Sequence, residues 1–254
     1  MANKKSKSEN NQESKPDNSV KVTIITTIGI IVTTLITALV APAILRTLEK
    51  TPTQSPLPES TITSDVFIED FSQGSKYWQT GLKDDDQRTA TRSVVDGALR
   101  WQVIAKEETL TGIGSTSLLP LLSDFDLETT LKLVQAPESF EYGVRFRSSD
   151  AGFYYFLINR KGQFLLAKLL TSPDDHWVNL VWWTDSSVIN LSGENMFRIR
   201  AVDNKIRLYI NQALLADLAD DSLSSGKTDI VAWVHKDTTS IVDMTSFKVT
   251  LLSP

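Results

Sequence analysis

The chain has 254 residues, of which 41% are hydrophobic and 22% are charged, a balance typical of a globular protein rather than a disordered one. Its formal net charge of −5 argues against a basic nucleic-acid-binding protein. The absence of cysteine excludes disulfides, thiol nucleophiles and cysteine-ligated metal sites, and the presence of only two histidines argues against most histidine-dependent catalysis.

Residues 1–21 are rich in lysine, asparagine and serine and lack an apolar cluster, which predicts a disordered tail. Segment 22–45 has no charged residue, and about 20 such residues span a bilayer as a helix, so we expect a transmembrane helix. Five lysines precede this segment but only Arg46 and Lys50 follow it closely, which predicts a cytoplasmic N-terminus and an extracytoplasmic C-terminal domain. A cleaved signal peptide is the alternative, although its apolar region is usually only about 7–15 residues long.

Segment 46–65 is rich in proline, serine and threonine, which predicts an extended stalk. Beyond it, residues 66–252 contain short runs of alternating apolar and polar residues separated by turn residues. This pattern predicts about a dozen strands and almost no helix. The expected fold is therefore all-β, an antiparallel two-sheet jelly-roll sandwich preceded by one transmembrane helix.

Turn residues and alternation predict details of this sandwich. Asp96 and Gly97 form a two-residue hairpin signal between two apolar runs. Strict alternation in segment 140–147 predicts one buried face that contains Phe146, and similar alternation occurs near the C-terminus. Segment 153–159, FYYFLIN, is apolar on both sides, as expected of a central strand or of a strand beneath a ligand.

The order of these segments resembles that of a known protein family. The resemblance rests on the runs VFIEDFSQGSKYW, DGALRW, FDLETTLKLV, YGVRFRSSDAGFYYFLINRKGQF, WVNLVWWTDSSVIN, IRLYINQALLADL and SFKV. Over residues 66–252 the chain resembles the concanavalin A-like lectin/glucanase superfamily, near its laminin G-like and sugar-hydrolase-associated jelly rolls. This resemblance implies a two-sheet sandwich whose concave face or rim loops bind glycans or protein partners.

Glucanases of that superfamily carry paired carboxylates in an E-x-D-x-x-E pattern, which this sequence lacks. The nearest approach is Asp124, Asp126 and Glu128, which we interpret as a solvated strand edge because Lys132 follows on the same face. We therefore expect a protein that is not an enzyme. The acidic run 84–86 suggests loop calcium, but it lacks a glycine-punctuated D-x-D-x-D pattern, so we expect neither a metal site nor a cofactor.

One constellation combines arginines with aromatic residues, a mixture that suits sugar rings or acidic glycans. Its candidate ligand-binding residues are Arg145, Arg147, Tyr154, Trp183, Arg198, Arg200, Tyr209, Trp233 and His235. Truncation of Arg147 is expected to weaken binding without unfolding the domain. The alternative is a solvated face whose arginines pair with acids such as Glu128 and Glu141.

The sequence thus predicts a membrane-anchored, extracytoplasmic module that binds carbohydrate or an envelope partner. Its expected partners are the membrane, through residues 22–45, and a glycan or membrane protein, but no nucleic acid. A structural subunit of a larger membrane complex is one alternative, since a threonine-rich helix packs well against other helices. A glycoside hydrolase-like enzyme is the other.

Overall fold

The computed structural model describes residues 65–171 and 176–252, and all of its regular elements there are β-strands. The predicted tail, 1–21, and transmembrane helix, 22–45, lie outside the described residues, as does the stalk, 46–65, except for Asp65. In the part of the chain that is described, there is no helix of the length and apolarity needed to cross a bilayer.

Fifteen strands occupy the described residues. They are β1 (Val66–Glu69), β2 (Gly81–Asp84), β3 (Arg88–Val95), β4 (Ala98–Ala105), β5 (Thr109–Gly114), β6 (Phe125–Gln135), β7 (Glu141–Ser149), β8 (Gly152–Asn159), β9 (Gln163–Leu170), β10 (His176–Asp185), β11 (Glu194–Val202), β12 (Lys205–Ile210), β13 (Ala213–Ala219), β14 (Lys227–Val234) and β15 (Thr239–Leu251).

These strands form two antiparallel sheets. The nine-stranded sheet has the order β13-β12-β11-β6-β15-β4-β3-β2, with β1 also paired to β15. The six-stranded sheet has the order β10-β9-β8-β7-β14-β5. The predicted all-β, antiparallel two-sheet sandwich is therefore confirmed for the described residues.

The hairpin signals act as expected. Asp96 and Gly97 join β3 to β4 with φ values of 53° and 74°, and Asn211 and Gln212 join β12 to β13 with φ values of 50° and 72°. Two consecutive positive φ values match the right-handed twist of the strands, and asparagine, aspartate and glycine tolerate them best. These turns fix the register of the hairpins on either side.

The core lies between the two sheets and is made of the predicted inward faces. Phe125 of β6 packs edge-on against Phe146 of β7 with ring centroids 6.2 Å apart, and Phe197 of β11 packs against Phe156 of β8 at 5.4 Å. Each pair joins opposite sheets, and burial of one such side chain contributes about 1.5–3 kcal/mol. The side chains that alternation in the sequence assigns to the inner faces therefore form the contact between the two sheets.

Candidate functional site

A second hydrophobic cluster lies outside this core, on the outer side of the six-stranded sheet. Its buried members are Tyr155 and Leu157 of β8, Leu165 and Ala167 of β9, and Val231 of β14, each at most 4% exposed. The outer face of an antiparallel sheet is usually wet and polar. Burial here means that larger neighbouring side chains cover the apolar floor of this face.

We call the outer surface of the six-stranded sheet the six-strand face. It is formed by the outward side chains of β5, β7, β8, β9, β10 and β14, among them Leu110, Glu141, Arg145, Tyr155, Trp177, Trp183 and Trp233.

Two glycines make the floor of the six-strand face low at its centre. Gly112 of β5 and Gly143 of β7 are paired with Val231 from its two sides. A Cβ atom at Gly112 would lie 2.6 Å from the Ile230 carbonyl oxygen, and one at Gly143 would collide with the Phe156 carbonyl oxygen. The strands approach too closely here for a side chain, so a strip without side chains flanks Val231.

A polar wall borders this strip at the end of β14. The indole N–H of Trp233 donates to Glu108 Oε1 at 3.0 Å, and Glu108 Oε2 lies 3.7 Å from Nδ1 of His235. The other ring nitrogen of His235 is 3.0 Å from the Ser139 carbonyl oxygen. Glu141 is the cross-strand neighbour of Trp233, and its burial raises the pKa of its carboxyl group.

An aromatic wall borders the strip on its other side. Arg145 donates its Nε–H to Asp229 Oδ2 at 2.6 Å, and its guanidinium lies 5.2 Å from the centre of the Phe153 ring. Tyr155, the cross-strand neighbour of Arg145, stacks on Trp177 with ring centroids 5.5 Å apart. Burial raises the pKa of Tyr155 to about 12, so its hydroxyl is neutral near pH 7.

This arrangement offers flat apolar surfaces beside hydrogen-bonding groups. The indole rings of Trp177 and Trp183 are partly exposed on it, and Trp183 packs on the buried cluster. Asp229 pairs with Arg145, and the walls also carry the carboxylates of Glu108, which lies 3.7 Å from His235, and Glu141. Such a surface suits an uncharged ligand with flat apolar faces and hydroxyl donors.

The structure does not bring the nine candidate residues onto one surface. Four of them, Arg145, Trp183, Trp233 and His235, belong to the six-strand face or its border. The remaining five lie in the interior or on the opposite side of the sandwich.

The structure does not support the predicted role of Arg147 as a ligand contact. The Arg147 side chain is 1% exposed, because a β-bulge between Phe146 and Ser149 interrupts the alternation of β7. Its guanidinium donates to the carbonyl oxygens of Ser123, Leu223 and Asp203 at 2.7–3.1 Å. Arg147 therefore links three chain segments instead of facing a ligand.

Tyr154 is also in the interior, because it points to the inner side of β8. It is fully buried, stacks on Phe146 at 5.1 Å, and donates its hydroxyl to Asp220 Oδ1 at 2.6 Å. Burial raises the pKa of Tyr154 above its ordinary value, and the hydrogen bond to Asp220 adds to that effect. Its polar end thus anchors the segment that leads to β14.

Arg198, Arg200 and Tyr209 lie on the outer face of the nine-stranded sheet, across the sandwich from the six-strand face. Arg198 donates two hydrogen bonds to Asp126, at 2.8 and 2.7 Å, and Arg200 donates one at 3.1 Å. Burial alone would raise the pKa of Asp126, but the two arginines hold it below its ordinary value. Arg198 also lies 5.3 Å from the Tyr209 ring centre and 3.5 Å from Glu128. These arginines form the solvated, paired surface that the alternative interpretation described.

Sequence reasoning missed several residues of the six-strand face, including Gly112, Gly143, Tyr155 and Trp177. One signal pointed to them, namely the apolar character of segment 153–159 on both sides. The structure shows β8 buried on both faces, with Tyr155 and Leu157 beneath the outer cluster. No sequence signal identified the glycines, because their role depends on which strands are neighbours.

The acidic loop considered for calcium is held by protein contacts. Asp84 accepts hydrogen bonds from Thr89 and Lys106 at 2.7 Å, and Asp85 accepts the backbone N–H groups of Gln87 and Arg88 at 3.0 Å. Across residues 65–171 and 176–252, the structure places no three histidine, aspartate or glutamate side chains so that they could hold a metal ion.

A separate depression of about 290 Å³ lies at one end of the sandwich. Its lining includes Asp124, Asp203 and Asp221. The carbonyl oxygens of Ser123 and Asp203 beside it already accept hydrogen bonds from Arg147. We interpret this region as a structural junction rather than as the ligand site.

Comparisons with solved structures find a similar architecture in several glucanases. The laminarinase catalytic domain from Thermotoga maritima MSB8 has a TM-score of 0.55 at 8% identity over 75% of this chain and 99% of that chain. Bacillus licheniformis β-glucanase has a TM-score of 0.52 at 12% identity over 75% and 100%. A LamA variant from Z. galactanivorans, in complex with laminaritriose and laminaritetraose, has a TM-score of 0.52 at 11% identity over 72% and 97%. No protein-family model and no curated protein matches the chain.

At these identities the likeness shows the fold alone, an antiparallel two-sheet β-sandwich shared with these glucanases. The prediction that the protein is not an enzyme is wrong, because several solved structures that share this fold are catalytic glucanases. The missing E-x-D-x-x-E pattern therefore does not exclude a glycoside hydrolase-like protein.

Proposed function

We propose that the protein binds a neutral glycan along the six-strand face. The observation that carries this proposal is the outer apolar cluster around Val231, beside which the rings of Trp177, Trp183 and Trp233 are partly exposed. A sugar ring has one apolar face and a rim of hydroxyl groups, so it stacks on aromatic rings while its hydroxyls reach polar groups.

The charges of the walls favour a neutral glycan over an acidic one. The guanidinium of Arg145 is bound to Asp229 and covered by Phe153, so it offers little attraction to an added anion. Glu108 and Glu141 would repel a uronic acid or a sulfated sugar. Glu141 is partly buried beside Trp233, where its carboxylate can accept a sugar hydroxyl.

The fold supports the same ligand class. One solved structure with this fold, LamA from Z. galactanivorans, holds laminaritriose and laminaritetraose. We therefore take laminaritetraose as the first probe for this chain.

The test is a glycan-array screen of the full chain, followed by calorimetric titration with laminaritetraose and with each glycan that binds. We expect Trp233→Ala to weaken binding at least tenfold, because it removes the aromatic ring of the polar wall. Tyr209→Ala is the matched control, since it removes an aromatic ring from the opposite outer face. Equal losses in both variants, or no binding of any neutral glycan, would contradict the proposal.

The same preparations should be incubated with bound glycans and analysed for cleavage products. Hydrolysis that is lost in Glu141→Gln but kept in Tyr209→Ala would make this face a glycoside hydrolase site. Binding without cleavage would instead indicate a carbohydrate-binding module.

We also propose that residues 22–45 anchor the protein in a membrane, with the β-sandwich on the extracytoplasmic side. The uncharged segment and the excess of lysine before it support this arrangement. Alkaline extraction of membranes should leave the full chain in the pellet, and protease added from outside should digest the sandwich but not the tail. Recovery of a shortened chain that begins near Ala43 would indicate a cleaved signal peptide instead.

A further inference from the structure

The six-strand face borders on a junction of two loops. Residues 106–108 join β4 to β5, and residues 235–238 join β14 to β15. The Ala105 N–H donates to the Thr238 carbonyl oxygen, and the Asp237 N–H donates to the Ala105 carbonyl oxygen, each at 2.9 Å. These backbone hydrogen bonds hold the loop 235–238 against the start of the other loop, so the side chains of the junction have a fixed base.

Three side chains of this junction form a chain of contacts. The indole N–H of Trp233 donates to one carboxylate oxygen of Glu108 at 3.0 Å, and the other oxygen lies 3.7 Å from Nδ1 of His235. Nε2 of His235 lies 3.0 Å from the Ser139 carbonyl oxygen. An indole N–H can only donate, so its bond to Glu108 fixes the orientation of the Trp233 ring.

The contacts of His235 depend on how many protons its ring carries. Its two nitrogens face oxygen acceptors, the Glu108 carboxylate on one side and the Ser139 carbonyl group on the other. A neutral imidazole has one N–H and donates to one acceptor, whereas an imidazolium donates to both. When the neutral ring donates to Ser139, the lone pair of Nδ1 faces the carboxylate. A proton on His235 therefore decides whether the histidine holds Glu108.

The other charges of the two loops are paired. Lys236 Nζ lies 3.1 Å from Glu107 Oε1, and Lys106 Nζ lies 2.7 Å from Asp84 Oδ1. The hydrogen bond to Glu107 raises the pKa of Lys236, and the charge of Asp237 adds to that effect. Lys236 therefore keeps its charge over the pH range in which histidine side chains titrate.

Glu141 of β7 is a second titratable group beside Trp233, its cross-strand neighbour. Burial raises the pKa of the Glu141 carboxyl group, the charges of His235 and Lys161 oppose this rise, and that of Glu108 adds to it. A test of His235 must therefore separate its protonation from that of Glu141.

We propose that Glu108 positions the Trp233 ring for contact with a glycan and that a proton on His235 strengthens this hold. The imidazolium donates to Glu108 and fixes the carboxylate that binds the indole. Loss of the proton removes this donor, so the carboxylate and the ring gain freedom and glycan affinity falls. The proposal rests on the proposed glycan site, and it adds that the site weakens as the pH rises from about 6 to about 8.

The first test needs no glycan. The full chain is labelled with 5-fluorotryptophan, and the Trp233 resonance, assigned with Trp233→Phe, is followed from about pH 5 to about pH 8. We expect the resonance to change in the wild-type chain and in His176→Gln, which removes an exposed histidine, but not in His235→Gln. Glu141→Gln should keep the change. A constant wild-type resonance, a change that persists undiminished in His235→Gln, or its loss in Glu141→Gln would overturn the proposal.

The second test measures the affinity for laminaritetraose, or for another neutral glycan that binds, by calorimetry at pH 6 and pH 8. Wild type and His176→Gln should bind about threefold more tightly at pH 6, because an exposed ion pair of this kind contributes modestly. His235→Gln should bind equally at the two pH values. The same pH dependence in wild type and His235→Gln would contradict the role of His235.

The role of Glu108 is tested with two substitutions at pH 8. Glu108→Ala should weaken binding about fivefold, because the indole loses its acceptor. Glu108→Gln should restore most of the affinity, since its amide oxygen accepts the indole N–H. Equal losses in both variants would overturn the positioning role. If no neutral glycan binds at either pH, the proposed glycan site fails, and the fluorine titration decides separately whether Glu108 and His235 hold the ring.

Discussion

Arg145 and Arg147 are two residues apart on β7, yet the side chain of Arg145 lies on the outer face of the sheet while that of Arg147 is buried. Arg147 has a φ of 47°, and the bulge at this position breaks the period-two pattern that would have put both arginines on one face. Arg145 therefore belongs to the six-strand face, and Arg147 belongs to the framework that supports it.

Substitution Arg147→Met should destabilise the fold by about 3 kcal/mol, because the carbonyl oxygens of Ser123, Leu223 and Asp203 would lose the donor that the buried guanidinium supplies. Equilibrium urea unfolding measures this change. Arg207→Met removes an exposed arginine that pairs with Asp217, and it should cost less than about 1 kcal/mol. If Arg147→Met abolished glycan binding while leaving the free energy of unfolding unchanged, Arg147 would be a ligand contact after all.

Gly143→Ala should be strongly destabilising, by about 2–4 kcal/mol, since the new Cβ atom would collide with the backbone of Phe156. Gly114→Ala is the matched control on the same face. Its Cβ atom would meet the flexible side chain of Gln79 at 3.3 Å, which can move aside. Thermal unfolding should rank Gly143→Ala far below Gly114→Ala. Similar Tm values for the two variants would show that the strands at Gly143 are not held as closely as described.

Glu141→Gln should stabilise the protein at pH 7. Burial raises the pKa of Glu141 in the folded state, so the folded chain holds its proton more tightly than the unfolded chain. The stability that this group contributes is therefore present below its unfolded pKa and is lost as the pH rises through the folded pKa. The neutral glutamine avoids that loss, so the advantage of the variant should shrink as the pH falls towards about 4.

Urea unfolding at pH 7 and at pH 4 measures this difference. Glu138→Gln changes an exposed carboxylate three residues earlier, and it should shift the free energy of unfolding by no more than about 0.5 kcal/mol. A Glu141→Gln variant less stable than wild type at pH 7 would mean that the carboxylate is favourably paired in the folded protein.

The fold follows from local patterns that a single sequence displays. Alternation along β7, β11, β12 and β14 assigns the core face correctly, and pairs such as Asp96-Gly97 locate hairpins because their backbone chemistry is local. The site is harder to predict because it depends on strand order. Alternation in the sequence predicts that Arg198 and Trp233 both lie on outer faces. It does not show that these faces are on opposite sides of the sandwich, because that depends on the pairing of β11 with β6 and of β14 with β7.

The most direct test of glycan binding at the six-strand face uses the six tryptophans as reporters of where the ligand lies. The full chain is labelled with 5-fluorotryptophan, its fluorine resonances are assigned with single Trp→Phe variants, and laminaritetraose or another bound neutral glycan is titrated. Our account predicts that the resonances of Trp177, Trp183 and Trp233 shift together and saturably, while those of the core residues Trp78 and Trp101 stay in place. Saturable binding that leaves all three outer resonances unchanged would contradict the assignment of the six-strand face as the glycan site.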